Sequence, residues 1–135
     1  MKQFALDPKM FTISGVFYPT GHIVAMVPDR EGATQIARDL ETHPDHGEVQ
    51  LLEPSVIIEE IGPSARGSDD GQMPPSIGTE GATVREYVEL AQQGHYGLLI
   101  RVNSSEDADR VMDVLHKSRF SYAQRYHMLV IEDIV

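Results

Sequence analysis

Residues 23–40 read IVAMVPDREGATQIARDL and join an apolar run to an amphipathic helix pattern. The run Ile23–Val27 has the length and composition of a buried strand. Asp29 stands where an N-cap side chain would accept a hydrogen bond from a first-turn N–H. Apolar residues then recur at the spacing of one helical face: Ala33, Ile36, Ala37 and Leu40. The segment therefore predicts a strand followed by a helix.

The same pattern returns 75 residues later, at residues 98–115, which read LLIRVNSSEDADRVMDVL. Ser104 takes the N-cap position there, and extended stretches follow both helices, at 48–52 and at 121–134. The second stretch is long enough for two strands bent near 126–127. A strand–helix–strand unit used twice is the split βαβ, or ferredoxin-like, pattern. We therefore expect an α+β fold with an antiparallel sheet and helices on one face.

An inserted region separates the two units. Residues 54–61 carry Pro54 where a first helical position tolerates it, so they are predicted as a short helix, with a strand as the alternative. Residues 62–81 contain five glycines, three prolines and three serines, which favours a mobile loop. A capping-box sequence then predicts an inserted helix over 83–93. Near the N-terminus, residues 11–18 are expected to add an edge strand.

Length and charge limit the kinds of protein that this chain can be. Its 135 residues, 41% of them hydrophobic, suit a single domain over 1–135. It has 21 acidic residues against 11 Lys and Arg, for a formal net charge of −10, and nine of the acids lie in 41–80. An anionic surface repels phosphate backbones and anionic lipids, so we expect neither nucleic acid nor a membrane as a partner.

The absence of cysteine bears on chemistry and compartment. With none in the sequence, disulfides, thiolate metal sites and a cysteine nucleophile are excluded. No run of about 18 apolar residues occurs, and the first residues lack the apolar core of a signal peptide. These features predict a cytoplasmic protein.

Two histidines give the main candidate site. His22 and His95 each follow a glycine at the start of a repeat strand. We expect these central strands to be parallel, which would bring both rings to the same end of the sheet. An imidazole pair titrates near neutral pH and can bind an anion, relay a proton or sense pH. Together with Arg30 and Tyr96, the two histidines form the predicted ligand-binding residues, and no catalytic residue is predicted.

A second cluster, His43 with Asp45 and His46, could in principle hold zinc or nickel on a turn. A stable site normally needs three or four protein ligands, and no other cluster supplies the remainder. We therefore interpret these residues as a solvated turn, with metal capture as the alternative. Phosphate-binding glycine motifs are also absent, so no metal and no cofactor are predicted.

Residues 20–31, TGHIVAMVPDRE, begin with a Gly-led strand and continue into an Asp-Arg-Glu helix start, with Ala33 and Ala37 in the helix. This stretch resembles the opening of small bacterial general-stress-protein-like domains. The resemblance covers residues 20–52, and residues 94–135 as the second half of the unit, whereas the insert 54–93 departs from it. It implies a ferredoxin-like module of poorly defined biochemistry and transfers no catalytic residue.

These observations predict a binding or regulatory module without enzymatic activity, with a stress-related role implied by the resemblance. Tyr96, Leu98 and Ile100 alternate along one predicted strand, and an open sheet face carrying them would expose apolar area. We therefore expect a homodimer or higher homo-oligomer formed through the sheet, with a small molecule as a further partner. The alternative is a ligand sensor or cofactor-free enzyme with its site near His22 and His95.

Overall fold

The computed structural model describes residues 1–68, 75–128 and 130–135. The strands are β1 (Lys2–Gln3), β2 (His22–Val27), β3 (Val49–Leu52), β4 (Tyr96–Arg101), β5 (Tyr122–Tyr126) and β6 (Ile131–Asp133). The α-helices are α1 (Arg30–Glu41), α2 (Pro54–Val56), α3 (Pro75–Gln92) and α4 (Ser105–His116). Shorter helical turns are Pro8–Met10, Ile57–Ile61 and Gly62–Ser68.

The six strands form one mixed sheet in the order β1-β3-β4-β2-β5-β6. The edge strand β1 is parallel to β3, and the other neighbours are antiparallel. The fold is therefore α+β, but the prediction of a purely antiparallel sheet is wrong. No hairpin joins β1 to its neighbour β3, and a long connection leaves the strand direction free.

Both repeat units form as predicted. Asp29 caps α1 by accepting a hydrogen bond from the Gly32 N–H at 2.7 Å, and Ser104 caps α4 by accepting from the Asp107 N–H at 3.0 Å. The residues predicted to face the core from α1 are all buried. The last stretch also divides as expected, into β5 and β6. Local periodicity was therefore sufficient to locate these elements.

Helices cover both faces of the sheet, which corrects the expectation of helices on one face. On the first face, α1 and α4 pack on alternate strand residues: Ile23, Ala25, Val27, Val49, Leu51, Leu98, Ile100 and Ala123. On the second face, α3, the turn Ile57–Ile61 and the N-terminal segment pack on the others: Val24, Met26, Leu52, Leu99 and Tyr126. The second layer forms because α3 buries an apolar stripe of its own: Val84, Tyr87 and Ala91.

The open sheet face that was expected to drive self-association is covered within the chain. Leu98 and Ile100 are 0% and 1% exposed, and Tyr96 packs against the same core. The apolar face on which that expectation rested is therefore buried within the chain.

The inserted region is more helical than its composition indicates. Residues 54–61 are helical as predicted, but Gly62–Ser68 is a 3-10 helix and α3 begins at Pro75 rather than at 83. The part of the predicted loop at 69–74 lies outside the described residues. Gly94, with φ of +92°, follows the end of the helix as expected. In the described parts of the chain, no helix has both the length and the apolar character needed to cross a bilayer.

The N-terminal segment 11–18 does not add a strand to the sheet. Phe11 and Phe17 form an isolated bridge, closed by a hydrogen bond from the Thr12 N–H to the Val16 carbonyl at 2.8 Å. Phe17 is fully buried on the second face of the sheet. The segment is therefore a turn anchored by its aromatic residues, and it leads directly into β2.

Candidate functional site

The structure does not bring the two predicted histidines together. Strands β2 and β4 are antiparallel, so His22 lies opposite Arg101, whereas Val27 lies opposite Tyr96. His95 directly precedes Tyr96, so it lies at the other end of the sheet, about 20 Å away at the usual rise per strand residue. The expectation of parallel strands is wrong because β4 inserts between β2 and β3, which already run in the same direction.

The other three predicted residues lie at the His95 end but make separate contacts. His95 Nδ1 lies 2.8 Å from Ser121 Oγ, whose hydroxyl donates to the Met26 carbonyl at 3.0 Å. Arg30 pairs with Glu53 at 3.4 Å on the surface. Tyr96 packs on the core beneath α1 and α4. These contacts account for each side chain locally and do not create a shared site.

A cleft of about 310 Å³ surrounds His22, and we call it the His22 cleft. It lies between the sheet and the N-terminal segment, at the end where β2 begins and β4 ends. Its lining residues are Asp7, Lys9, Met10, Pro19, Thr20, His22, Glu48, Gln50 and Arg101. The cleft is therefore lined by residues of three strands and by residues that precede the first repeat unit.

Sheet register places an imidazole, a guanidinium and a carboxylate side by side. His22 and Arg101 are directly paired, so their Cβ atoms are roughly 5 Å apart on the same face. The Arg101 N–H donates to the Glu48 carbonyl at 2.9 Å, which continues the row to the neighbouring strand. The sheet and this hydrogen bond thus fix the backbone positions from which the three side chains extend.

A glycine allows this row to form. At Gly47, an added Cβ would lie 2.2 Å from the Arg101 carbonyl oxygen, far closer than atoms can approach. Only a residue without a side chain lets the chain entering β3 pass so close to the end of β4. The approach therefore fixes the position of the Arg101 backbone in the cleft.

His22 is held as a neutral ring with a defined hydrogen-bonding pattern. Its Nδ1 lies 3.0 Å from the Thr20 carbonyl oxygen, so in the neutral ring this nitrogen carries the hydrogen and Nε2 is the acceptor. Burial lowers the pKa of His22, and the positive charge of Arg101 lowers it further. The hydrogen bonds to Thr20 and Pro19 and the charge of Glu48 act in the opposite direction but do not cancel these effects. The ring is therefore neutral at pH 7.

The charges of the cleft are not all engaged within the chain. The Asp7 carboxylate accepts a hydrogen bond from the Lys9 N–H at 2.9 Å, and Glu48 pairs with Lys2 at 3.0 Å. By contrast, the Lys9 ammonium and the Arg101 guanidinium form no ion pair with any residue that the structure describes. The cleft thus offers a ligand two cations without an ion pair and a neutral imidazole, with the carboxylates of Asp7 and Glu48 also in its lining.

The histidines of the 43–46 turn are directed to nearby backbone. His43 Nδ1 accepts from the Asp45 N–H at 3.2 Å, and His46 Nδ1 lies 2.9 Å from the Gly47 carbonyl. Among the described residues, no three histidine or carboxylate side chains are grouped so that they could hold a metal ion. The alternative of metal capture at this turn therefore gains no geometric support.

Sequence reasoning identified His22 but missed Lys9, Glu48 and Arg101. Arg101 was visible as a single charge inside the apolar run at 98–102. A cation at the end of a buried strand must reach solvent or a partner, which would have been a usable signal. Lys9 carries no local signal, because only the folded N-terminal segment brings it to the cleft.

Comparison of this chain with known protein families, with curated proteins and with solved structures found no match.

Proposed function

We propose that this chain is a binding or regulatory module without catalytic activity, and that the His22 cleft takes a small carboxylate ligand. The observation that carries the proposal is the pair of unengaged cations, Lys9 and Arg101, beside the neutral ring of His22. In a chain with a formal net charge of −10, cations that gather in a concave site and form no ion pair among the described residues favour an anionic ligand.

The chemistry of the three groups defines the ligand more closely. The planar fork of Arg101 can donate two parallel hydrogen bonds to one carboxylate. The acceptor Nε2 of His22 suits a ligand hydroxyl or amine hydrogen. Glu48 and Asp7 also line the cleft, and their negative charge favours an amine over a second carboxylate. An amino acid or a hydroxy acid meets these requirements, and the cleft volume is at the small end of ligand sites.

The test is an amide-resolved NMR titration with glycine, lactate and succinate as probes. We expect the amino or hydroxy acid to perturb the His22 and Arg101 amides, and we expect Arg101→Gln to weaken that binding at least tenfold. Arg30→Gln is the matched control, since it removes the same charge at the opposite end of the sheet. Binding that survives Arg101→Gln, or no perturbation at these amides by any probe, would overturn the proposal.

The pH dependence of binding supplies a second readout. Because burial lowers the pKa of His22, the ring gains its second proton only at a pH below the ordinary histidine value of 6.5. Affinity should therefore fall only as the pH drops below the usual histidine range, and His22→Gln should remove this dependence. A loss of affinity centred at 6.5 would instead indicate an exposed histidine.

One observation favours a second candidate, a cofactor-free enzyme. A ring whose Nδ1–H is held by a carbonyl presents Nε2 as a base, which is how general-base histidines are oriented. Prolonged NMR observation of each probe with the protein separates the two candidates. Unchanged probe favours the binding module, and slow deuterium exchange or conversion that is lost in His22→Gln favours the enzyme.

We further propose that the two repeat units form a ferredoxin-like core. The order β3-β4-β2-β5 and the two strand–helix–strand units support it. A stress-related role in the bacterial cytoplasm is consistent with the resemblance of residues 20–31 and with the absence of cysteine. Homo-oligomerisation is proposed only through surfaces outside the sheet faces, where Ile13 and Met128 are exposed.

A further inference from the structure

The internal repeat creates a related pair of clefts away from the His22 site. One, of about 350 Å³, lies between the start of α1 and the turn 117–119, and we call it the basic-turn cleft. The other, of about 270 Å³, lies between the start of α4 and the turn that follows α1. The shift of 75 residues that relates the units also relates the linings: Asp29 to Ser104, Gly32 to Asp107, Gln35 to Arg110 and His43 to Ser118.

The second cleft satisfies its charges internally. Arg110 Nη2 donates to Asp107 Oδ1 at 2.6 Å, and Arg110 Nη1 donates to the Leu40 carbonyl at 3.3 Å. This ion pair is half-buried and occupies the positions equivalent to Gly32 and Gln35. The second cleft therefore has no free cation to offer a ligand.

The basic-turn cleft has the opposite arrangement. Its wall carries Gly32 and Gln35 in place of the ion pair, so no internal cation–carboxylate contact fills it. Its two cations, Lys117 and Arg119, are exposed and form no ion pair with any residue in the described part of the chain.

The carboxylates of the basic-turn cleft already accept hydrogen bonds from α1. Asp29 Oδ1 accepts from the Gly32 N–H at 2.7 Å, and Asp39 Oδ1 accepts from Gln35 Nε2 at 3.1 Å. These bonds tie the two acids to the helix and leave the cations as the groups without a partner. The basic-turn cleft thus presents two nearby cations on one turn. The opposite wall has no counterpart of the Asp107–Arg110 ion pair that fills the second cleft.

We propose that the basic-turn cleft binds a phosphate group, as free phosphate or as a small phosphate monoester. A phosphate dianion offers oxygens both to the fork of Arg119 and to the point charge of Lys117, whereas a single carboxylate satisfies only one of them well. The site lies at the opposite end of the sheet from the His22 cleft. It is also on the other face of the sheet, between α1 and the turn that follows α4, so it is a second site that does not depend on the first.

The experiment is an amide-resolved NMR titration with inorganic phosphate and with glycerol 3-phosphate at constant ionic strength, with acetate as the monoanion comparison. Phosphate should perturb the Gly32 and Ser118 amides, and acetate should do so at least tenfold less strongly. The double variant Lys117→Gln/Arg119→Gln should weaken phosphate binding at least tenfold. The control Arg30→Gln/Arg38→Gln, with the same charge change on α1 outside the cleft, should stay within twofold of the parent.

Each outcome bears on the inference. Tighter binding of glycerol 3-phosphate than of phosphate identifies a monoester site, and equal binding identifies a free-phosphate site. Equal weakening by both double variants would mean that only overall charge matters, and it would overturn the proposal, as would unchanged binding in Lys117→Gln/Arg119→Gln. Both side chains are exposed, so the urea midpoint should not move, and this confirms that a loss of binding is not a loss of fold.

Discussion

Two buried tyrosines offer a sharp test of how the second helical layer is held on the sheet. Tyr87 of α3 and Tyr126 of β5 are each 1% exposed, and their hydroxyl oxygens lie 2.8 Å apart. The contact joins a polar group of α3 to one of β5 inside the core on the second face of the sheet. Replacing Tyr87 with Phe keeps the ring and removes the hydroxyl, so the Tyr126 hydroxyl loses its partner without gaining access to water.

The expected magnitude follows from the asymmetry between a lost hydrogen bond and an orphaned polar group. A buried hydroxyl deprived of its partner costs about 1–3 kcal/mol of unfolding free energy, so Tyr87→Phe and Tyr126→Phe should each fall in that range. The double variant removes both hydroxyls and leaves no orphan, so it should cost only about 1 kcal/mol. The two single costs sum to about 2–6 kcal/mol, so the coupling energy of the cycle is roughly 1–5 kcal/mol, and the double variant is more stable than additivity predicts.

The assay is urea unfolding followed by far-ultraviolet circular dichroism for the parent, both single variants and the double variant. A second cycle pairs Tyr126→Phe with Tyr96→Phe, which lies on the other face of the sheet and should therefore be additive. Additive costs in the Tyr87–Tyr126 cycle would show that the two hydroxyls do not depend on each other. That result would refute the idea that this contact holds α3 to β5.

Three further outcomes are expected. Burial raises the pKa of Tyr87 and Tyr126, so the folded state binds more protons than the unfolded state above pH 10. The free energy of unfolding should therefore be at its full value below pH 10 and should fall above it by up to about 1.4 kcal/mol per pH unit for each group. Alkaline urea titrations should show this slope, and a Tyr87→Phe/Tyr126→Phe variant that kept the whole slope would contradict the assignment, since Tyr18 and Tyr122, whose pKa values are also raised, can keep only part of it. Gly47→Ala should lower the free energy of unfolding by about 1–3 kcal/mol, because the added Cβ would lie 2.2 Å from the Arg101 carbonyl oxygen. Gly32→Ala, whose Cβ would have contacts at 3.1 Å, should lower it clearly less, and equal urea midpoints for the two variants would argue against the close approach at Gly47. Sedimentation velocity should show one chain at low concentration, and any dimer at high concentration should weaken in Ile13→Ser/Met128→Ser; a dimer insensitive to both changes would direct attention to the sheet edges.

The sequence predicted the elements whose signal is local. Ala33, Ile36 and Leu40 repeat at helical spacing, and the structure buries all three. The capping residues Asp29 and Ser104 were visible for the same reason, since a cap depends on neighbours three residues away.

The arrangement of segments that are far apart in the sequence could not be predicted from local patterns. The direction of β4 relative to β2 depends on which gap in the sheet it fills, and no local periodicity encodes that. The helical turn Gly62–Ser68 was hidden by its glycine and serine content, because packing against α3 can stabilise a helix whose composition disfavours it. The same distinction holds for the candidate site. His22 was predicted from its position at the start of a strand, whereas Lys9 is brought near it only by the tertiary fold.

The N-terminal segment has a consequence for how recognition can change in this protein. Residues 7–20 precede the first repeat, yet they supply Lys9 and the wall formed by Pro19 and Thr20. The duplicated units provide the floor of the cleft, and the preceding segment provides its rim. Substitutions of Lys9 or Thr20 would change the charge and shape of the rim while leaving the apolar packing beneath α1 and α4 untouched. Val16 and Phe17 of the same segment are buried on the second face of the sheet, so changes to the rim that keep these two residues leave that packing in place.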